Sequence, residues 1–215
     1  MSKLPPADNL MFASVKLPSM DKKAAAKAIL AVDDSLTYWD EYRLTKMVPL
    51  MTKNAGKGLK GSLNTQQGDF AWVDYAPQSV REYFDQVVFP WIGMESRVMA
   101  LITQPGFTMY EHIDCGQTEI NTRQHKFRIV AQGDTSTLYY KTTQGIVHAP
   151  SVDGPFIIDG GWPHGMTNST PMQKVTICLG APWTGKDDYG DDLELLLNRD
   201  DYEMPADLTP YWRKT

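Results

Sequence analysis

The sequence contains few of the residues that would mark an extracellular or membrane protein. It has only two cysteines in 215 residues, Cys115 and Cys178, too few for a disulfide framework, so a reducing compartment such as the cytoplasm is expected. No apolar run approaches the roughly 20 residues that a membrane-spanning helix needs. The N-terminal segment also lacks the basic and apolar regions of a secretory signal. We therefore expect a cytoplasmic protein that does not cross a membrane.

Basic residues are in deficit as well. The chain has 21 Lys+Arg against 26 Asp+Glu, and its formal net charge is -5. This balance argues against a general affinity for nucleic-acid phosphates, although Lys53, Lys57 and Lys60 form a locally basic stretch. Hydrophobic residues make up 42% and charged residues 22% of the chain, which is typical of a globular domain. The expected partner is a small-molecule or polypeptide substrate.

The first half of the chain carries two helical patterns and one long polar stretch. An Ala- and Lys-rich segment predicts a helix over 20–31. The segment SVREYFDQVVFPWI has apolar residues at helical spacing and predicts a second helix that Pro90 ends. Residues 52–69 are polar and rich in glycine, which is typical of a surface loop that could cover a site. Near the other end, 191–198 predicts a short helix.

From about residue 96 the pattern changes to short segments rich in β-branched and aromatic residues. They are separated by Gly, Pro, Asp or Asn, and they read RVMALITQ, FTMYEHI, HKFRIVAQ, TSTLYYKT, GPFIID and QKVTICLG. Many short strands without intervening helices predict a mainly β (α+β) jelly-roll sandwich. We expect a single domain, 1–215. Residues 1–96 would form a helical and loop support packed on one sheet, 97–183 the sandwich, and 184–215 a tail.

Histidine is scarce, with four in the chain, and two of them lie near a carboxylate in a suggestive pattern. His112 and Asp114 are two residues apart at the end of a predicted strand, so both side chains leave the same face. His164 follows another predicted strand and a Gly-Gly turn. Alone, each motif is common in strand ends and turns. Together, two histidines and one carboxylate are the ligand set of non-haem Fe(II) oxygenases.

A cation on a later strand is a candidate anchor for an acid. Lys174 begins the segment KVTICLG and shares one face with Thr176 and Cys178. A buried cation beside a hydroxyl suits the distal carboxylate of a dicarboxylic acid, because an unpaired buried carboxylate is costly. The alternative is a lysine exposed to solvent.

Arg123 and His125 form a further polar pair. By strand alternation they share a face with Phe127 and Ile129, which are expected in the core. An arginine and a histidine directed inward need an anionic partner there.

The alternative for that pair is an internal ion pair with Asp114 or Asp159. By the same alternation Lys126 and Arg128 are expected to face outward.

This spacing resembles that of the 2-oxoglutarate and Fe(II)-dependent dioxygenases, and most closely the aspartyl/asparaginyl β-hydroxylase group. The resemblance covers roughly 97–183. It consists of His112-x-Asp114, Arg123-x-His125, and the closing segment Asp159, His164, Asn168 and Lys174-Val175-Thr176-Ile177. Lysine stands where that group usually has an arginine, so the charge is kept but the bidentate fork is lost.

The resemblance implies a double-stranded β-helix, the cupin-like form of the jelly roll. It implies Fe(II) held by His112, Asp114 and His164, with 2-oxoglutarate as cosubstrate and O2 as oxidant. Lys174, with Thr176 beside it, would anchor the distal carboxylate, whereas Arg123 and His125 would hold the cosubstrate or an acidic group of the substrate. The reaction would be hydroxylation of an unactivated C–H bond, in an Asp/Asn-type side chain or an amino-acid-like molecule.

Two other functions fit the same strand pattern. A cupin-like protein could bind a metal or a small molecule without oxygenase turnover. A structural jelly-roll module would leave the histidines without a role. Neither needs a cation ten residues after the last ligand, so the oxygenase is the favoured hypothesis.

Overall fold

The structure is a computed structural model that describes residues 9–41, 44–53, 70–117, 120, 124–179 and 190–212. The loop predicted at 52–69 falls mostly outside this description, since only Thr52 and Lys53 are included, at the end of a strand. Both cysteines are free thiols.

Eight consecutive strands build the core of the fold. They are β5 (Val98–Thr103), β6 (Thr108–His112), β7 (His125–Gln132), β8 (Leu138–Thr142), β9 (Gly145–His148), β10 (Phe156–Asp159), β11 (His164–Thr167) and β12 (Lys174–Leu179). Four lie side by side in a large sheet in the order β10-β7-β12-β5, and four form a small sheet in the order β6-β11-β8-β9. All pairings between them are antiparallel. The chain thus passes back and forth between two facing sheets, which is the predicted double-stranded β-helix.

Further strands widen the large sheet on both sides. They are β1 (Leu10–Val15), β2 (Tyr38–Asp40), β3 (Thr45–Lys53), β4 (Phe70–Trp72) and β13 (Leu193–Asn198). With them the large sheet has nine strands among the residues that the structure describes. The first four belong to the segment expected to contain only helices and loops.

The helix predicted over 191–198 is wrong, because Leu193–Asn198 is strand β13. Its leucines favour a helix when considered locally. Pairing with β1, far away in sequence, overrides that preference.

The helices cover one face of the large sheet, as predicted. Helix α1 spans Lys22–Leu30 and packs on β7. Helices α2 (Gln78–Tyr83) and α3 (Phe89–Ile92) are joined by a π-helical turn over Phe84–Val88. The core between the helices and the sheet is apolar, and Phe127 of β7 lies there with its ring 6.1 Å from that of Phe84.

Pro90 does not end the second helical segment, contrary to expectation. It lies in the first turn of α3, directly after the π-helical turn. Proline is tolerated in a first turn, where its missing N–H is not needed. The widened turn before it therefore allows the helix to continue to Ile92. In the part of the chain described, none of the helices is long and apolar enough to span a membrane.

The start of helix α1 gives a test of local stability. The Asp21 carboxylate accepts a hydrogen bond from the Ala24 amide at 3.0 Å and caps the helix. We expect Asp21→Ala to lower the free energy of unfolding by about 1 kcal/mol, measured by urea denaturation. Asp21→Asn keeps the acceptor and should be close to wild type, as should Lys23→Ala at an exposed position of the same turn. A full loss in Asp21→Asn would contradict the capping role.

Candidate metal centre

Two histidines lie opposite each other on neighbouring strands of the small sheet. His112 ends β6 and His164 begins β11, and the two residues are paired across the ladder. Their ring centroids are 4.5 Å apart. The pairing contains a register shift, since Met109 pairs with Met166 only two residues beyond His164. Such a bulge re-aims the side chains that follow it, and here both Met109 and His112 are buried.

Asp114 completes the cluster from the turn after β6. Its Oδ1 lies 3.5 Å from His112 Nε2, and its Oδ2 lies 3.6 Å from His164 Nε2. One ligand atom from each of the three residues falls within 4.8 Å of the others. Metal–nitrogen and metal–oxygen bonds are about 2.0–2.2 Å long, so one ion could reach all three atoms after small adjustments.

The turn that carries Asp114 is held on both sides by distant segments. The Asp114 amide donates to the Gly160 carbonyl at 2.8 Å, and the Ile113 amide donates to the Tyr211 carbonyl at 3.0 Å. Tyr211 belongs to a short 3-10 turn, Thr209–Tyr211, near the end of the described chain. The backbone between the two candidate ligands is thereby fixed.

The hydrogen bonds of the two imidazoles engage Nδ1 of each ring and leave Nε2 directed at the cluster. His112 Nδ1 lies 2.8 Å from the Tyr110 carbonyl, and His164 Nδ1 lies 2.8 Å from the Trp162 carbonyl. A carbonyl can only accept, so each Nδ1 carries the proton and each Nε2 keeps its lone pair. Among the described residues, His164 Nε2 is buried and has no hydrogen-bond partner. A metal ion would supply the partner that such a buried atom requires.

Two cations support the carboxylate. Lys126 Nζ lies 2.9 Å and Arg128 Nη2 lies 3.3 Å from Asp114 Oδ2. Burial acts to raise the pKa of the Asp114 carboxyl, but the Lys126 ammonium beside it holds that pKa well below its usual range. The Asp114 carboxyl is therefore ionised at neutral pH.

The prediction that Lys126 and Arg128 face outward is wrong. Both faces of β7 are buried, because helices cover one face and the small sheet covers the other. The apolar stripe that includes Phe127 marks the helix-covered face. Lys126 and Arg128 therefore face the interior between the two sheets of the double-stranded β-helix, called the barrel below, where they reach Asp114.

Of the predicted pair Arg123 and His125, the structure describes only His125. His125 is buried and pairs with Asp159 across the ladder. By alternation it shares the helix-covered face with Phe127, opposite Lys126. Arg123 lies outside the described residues. Among the described residues, Lys126 and Arg128 form ion pairs with Asp114, and Arg199 forms one with Asp159.

Lys174 lies inside the protein, and the alternative of an exposed lysine is wrong. It is 2% exposed, and its ammonium donates to the Asp134 carbonyl at 2.6 Å and to the Thr137 hydroxyl. Burial lowers the pKa of Lys174 from 10.5 to about 7, and the Arg128 cation contributes. Gly133 leaves room for this side chain, since a Cβ there would lie 3.0 Å from Lys174 Cγ.

Thr176 and Cys178 share the face of Lys174. Both are buried, and Cys178 pairs with Arg128 of β7 across the ladder. The Arg128 side chain in turn reaches Asp114. This face of β12 therefore lines the same interior as the candidate metal ligands.

A second buried carboxylate, Asp159, was not among the candidate site residues. Its Oδ1 accepts from the Gly161 amide at 2.9 Å, and its Oδ2 lies 3.1 Å from Arg199 Nη1. Burial raises the pKa of Asp159 even though Arg199 lies close. Asp159 ends β10, ahead of the Gly-Gly turn that leads to His164. In the sequence, its position after an apolar strand and before two glycines is the signal that could have identified Asp159 as a candidate.

The sequence matches no protein-family model, and no curated protein is significantly similar to it. Among solved structures, the chain is similar to a prolyl-4-hydroxylase from Pseudomonas putida, with 13% identity, a TM-score of 0.47, and coverage of 79% of this chain and 90% of that one. It is also similar to an oxidoreductase of the 2OG-Fe(II) oxygenase family from Burkholderia pseudomallei, with 8% identity, a TM-score of 0.45, and 78% of each chain covered. A conserved Klebsiella pneumoniae protein with a double-stranded β-helix domain has 20% identity and a TM-score of 0.30, with 47% of this chain and 74% of that one covered. At these TM-scores the similarities do not bear on the activity, which has to follow from the geometry of the site.

Proposed function

We propose that the protein is an Fe(II)- and 2-oxoglutarate-dependent oxygenase that hydroxylates an unactivated C–H bond. The observation that supports this proposal is the meeting of His112, Asp114 and His164 at one end of the barrel. Two imidazoles and one carboxylate, with open positions opposite, are the ligand set of non-haem Fe(II) oxygenases. The orphaned, buried Nε2 of His164 fits a metal-bound state.

The three ligands would hold the metal with little rearrangement of their surroundings. The carbonyls of Tyr110 and Trp162 fix the imidazole tautomers. Lys126 and Arg128 keep Asp114 charged and oriented. When bound, iron together with 2-oxoglutarate and O2 would supply the oxidising power for the reaction. The contribution of the protein is to orient the reactants and to exclude water.

Lys174 and Thr176 would hold the distal carboxylate of 2-oxoglutarate. The buried Lys174 ammonium already donates hydrogen bonds to the Asp134 carbonyl and the Thr137 hydroxyl. A carboxylate beside it would favour the charged form of the lysine. We also propose that Arg123 and His125 help to hold the cosubstrate, and this part of the proposal is supported by the sequence resemblance alone.

For the substrate, the same resemblance favours an Asp/Asn-type side chain in a polypeptide, or an amino-acid-like small molecule. The cations beside Asp114 agree with a polar or acidic target. The two free cysteines agree with a reducing compartment, the cytoplasm, as the place where the protein acts.

Turnover of the cosubstrate is the direct test. Incubation with Fe(II), ascorbate, O2 and 2-oxoglutarate should release succinate and CO2 in equal amounts even without a substrate, measured by mass spectrometry. Zn(II) in place of Fe(II), or exclusion of O2, should stop the release. If equilibrium dialysis shows that the metal-loaded protein does not bind 2-oxoglutarate, the oxygenase proposal fails and the cupin-like binding protein is favoured.

A further inference from the structure

An open groove lies on the outer side of the small sheet. Its volume is about 560 Å³, and its walls come from the edge strand β6, from strand β8 and from the last described residues of the chain. Among the described residues, none of the three candidate metal ligands lines it. Four aromatic side chains and one carboxylate do, and they are Tyr110, Glu111, Tyr139, Tyr211 and Trp212. Aromatic rings around a negative charge suit an organic cation.

Tyr139 forms one wall of the groove by crossing the neighbouring strand. Tyr140, which follows it in β8, is fully buried in the barrel, so Tyr139 projects from the opposite, outer face. Strand β11 lies between β8 and β6, and Gly165 of β11 pairs with Tyr139. A Cβ at Gly165 would lie 2.6 Å from the Tyr139 hydroxyl oxygen and 2.7 Å from its Cζ. Glycine at this position therefore lets the phenol ring lie across β11 toward β6.

The end of the described chain forms another wall. The Asp207 carboxylate accepts a hydrogen bond from the Thr209 amide at 2.9 Å, which ties the start of the short 3-10 turn. The Tyr211 carbonyl accepts from the Ile113 amide at 3.0 Å. Tyr211 and Trp212 are thereby held beside β6, and both are only partly buried. The aromatic side chains thus come from segments that are fixed to one another.

Glu111 supplies the negative charge of the groove. Burial raises the pKa of the Tyr139 and Tyr211 phenols, and the Glu111 carboxylate adds to the effect on both. The carboxylate is therefore near enough to affect phenols from two separate segments.

The ion pair that Glu111 forms inside the protein is a weak one. Lys141 Nζ lies 3.9 Å from Glu111 Oε1, and the two side chains are 35% and 29% exposed. This distance is too long for a hydrogen bond, and ion pairs at such exposure contribute little. The carboxylate can therefore accept hydrogen bonds from another cation.

We propose that this groove binds a basic side chain, arginine or lysine, of a polypeptide partner. The face of an aromatic ring attracts a cation, and tryptophan does so most strongly. Glu111 would pair with the charged group, and a guanidinium could also stack on a ring. Trp212 and the tyrosines would surround the apolar stem of the side chain. The groove would thus recognise both the charge and the stem.

Two features favour a polypeptide over a free small molecule. A site for a small ligand usually encloses most of the surface of that ligand, whereas here Tyr110 is 58% exposed and the groove is open. The formal net charge of the chain is -5, and charge of opposite sign steers a partner to its binding surface. An open, aromatic and acidic groove therefore fits a basic side chain presented by a second protein.

Binding of short capped peptides to the full chain tests the site. The probes are the N-acetylated tripeptide amides Gly-Arg-Gly and Gly-Lys-Gly, with Gly-citrulline-Gly as the neutral counterpart of the first. In NMR titrations at low ionic strength, at least one basic peptide should bind and the citrulline peptide should not. Added salt should weaken binding, because the charges are partly exposed. Methylguanidinium should bind more weakly than the arginine peptide, since it lacks the stem.

Variants of the two charged residues should act in opposite directions. Glu111→Gln removes the negative charge and should weaken binding of the basic peptide about 5- to 10-fold. Lys141→Met removes the competing cation and should strengthen binding about 2- to 5-fold. Glu82→Gln, at an exposed glutamate on α2, is the matched control and should have no effect. Damage to the fold would not produce tighter binding in Lys141→Met.

Two further variants test the rings and the identity of the occupant. Tyr110→Leu removes an exposed ring and should weaken binding about 2- to 5-fold. Arg213 and Lys214 follow Trp212 directly in the sequence. A variant with glutamine at both positions should bind the peptide as wild type does, because the groove is assigned to a separate partner.

Several results would overturn the proposal. Failure of both basic peptides to bind, equal binding of the citrulline peptide, or unchanged binding in Glu111→Gln would refute a cation site here. Equal binding of methylguanidinium would assign a free small cation. Tighter binding after replacement of Arg213 and Lys214 would assign the groove to the end of the same chain. Self-association of wild type that Glu111→Gln abolishes, measured by analytical ultracentrifugation, would assign it to a second copy. None of these measurements involves the metal, so each outcome leaves the proposed oxygenase untouched.

Discussion

His112→Ala is expected to abolish the weak visible charge-transfer absorption that the wild-type protein should show when Fe(II) and 2-oxoglutarate are added without oxygen. This absorption arises only when the cosubstrate chelates the iron. His112 would provide one of three protein ligands, and among the described residues the cluster that could hold an ion contains no histidine besides His112 and His164. Because loss of groups that merely support a ligand already costs 10- to 100-fold in metal affinity, loss of the ligand itself should cost more than about 100-fold.

His148→Ala is the matched control for that variant. His148 is exposed on β9, and its Nδ1 lies 2.9 Å from the Ser136 carbonyl, remote from the cluster in sequence and on another strand. Its removal should leave the absorption and the Fe(II) affinity unchanged. An unchanged absorption in His112→Ala, with Fe(II) binding retained, would contradict the assignment of this ligand.

Lys174→Met is expected to weaken binding of 2-oxoglutarate by more than about 100-fold while leaving Fe(II) binding close to wild type. Removing one partner of a buried charge pair costs about 3–5 kcal/mol, since the other charge is left without compensation. Methionine has a similar length and fills the space beside Gly133. Equilibrium dialysis of both ligands separates the two effects. Equal affinity for 2-oxoglutarate in the variant would place the distal carboxylate elsewhere.

The same variant should change how stability depends on pH in the metal-free protein. The folded state lowers the pKa of Lys174 from 10.5 to about 7, so between these values the unfolded chain binds the proton and the folded chain does not. Stability therefore rises with pH across this window, by up to about 1.4 kcal/mol per pH unit, and the penalty is complete below pH 7. Urea denaturation at several pH values should show this slope in wild type. Lys174→Met should lack the contribution, and an identical slope in both would show that another group causes it.

The sequence predicted the fold and the three candidate ligands for physical reasons that can be traced. Strand alternation put His112 and Asp114 on one side of a strand end, and a Gly-Gly turn put His164 at the start of another strand. What brought them together was the return of the chain between two sheets, which the regular spacing of short strands already indicated. The bulge in β6 that directs His112 inward could not be recognised from the sequence.

Assignment of the polar residues on β7 failed because alternation separates two faces without saying what covers each of them. Phe127 and Ile129 looked like the only core face, whereas the opposite face is also buried and contains the charged site. Similarly, Leu193–Asn198 has residues that favour a helix, and only its distant partner β1 makes it a strand. Pairing between segments far apart in sequence is the information that a local pattern lacks.

The hydrogen bond from Ile113 to the Tyr211 carbonyl has a consequence for the order in which the candidate metal centre forms. His112 and Asp114 emerge from the ribosome before His164, and Tyr211 emerges later still. The turn between the first two candidate ligands therefore gains this hydrogen bond only after Tyr211 has docked. Geometry is one of the means by which a protein selects one metal over more strongly binding competitors. A metal bound at this cluster would thus be selected by the docked fold rather than by the nascent chain.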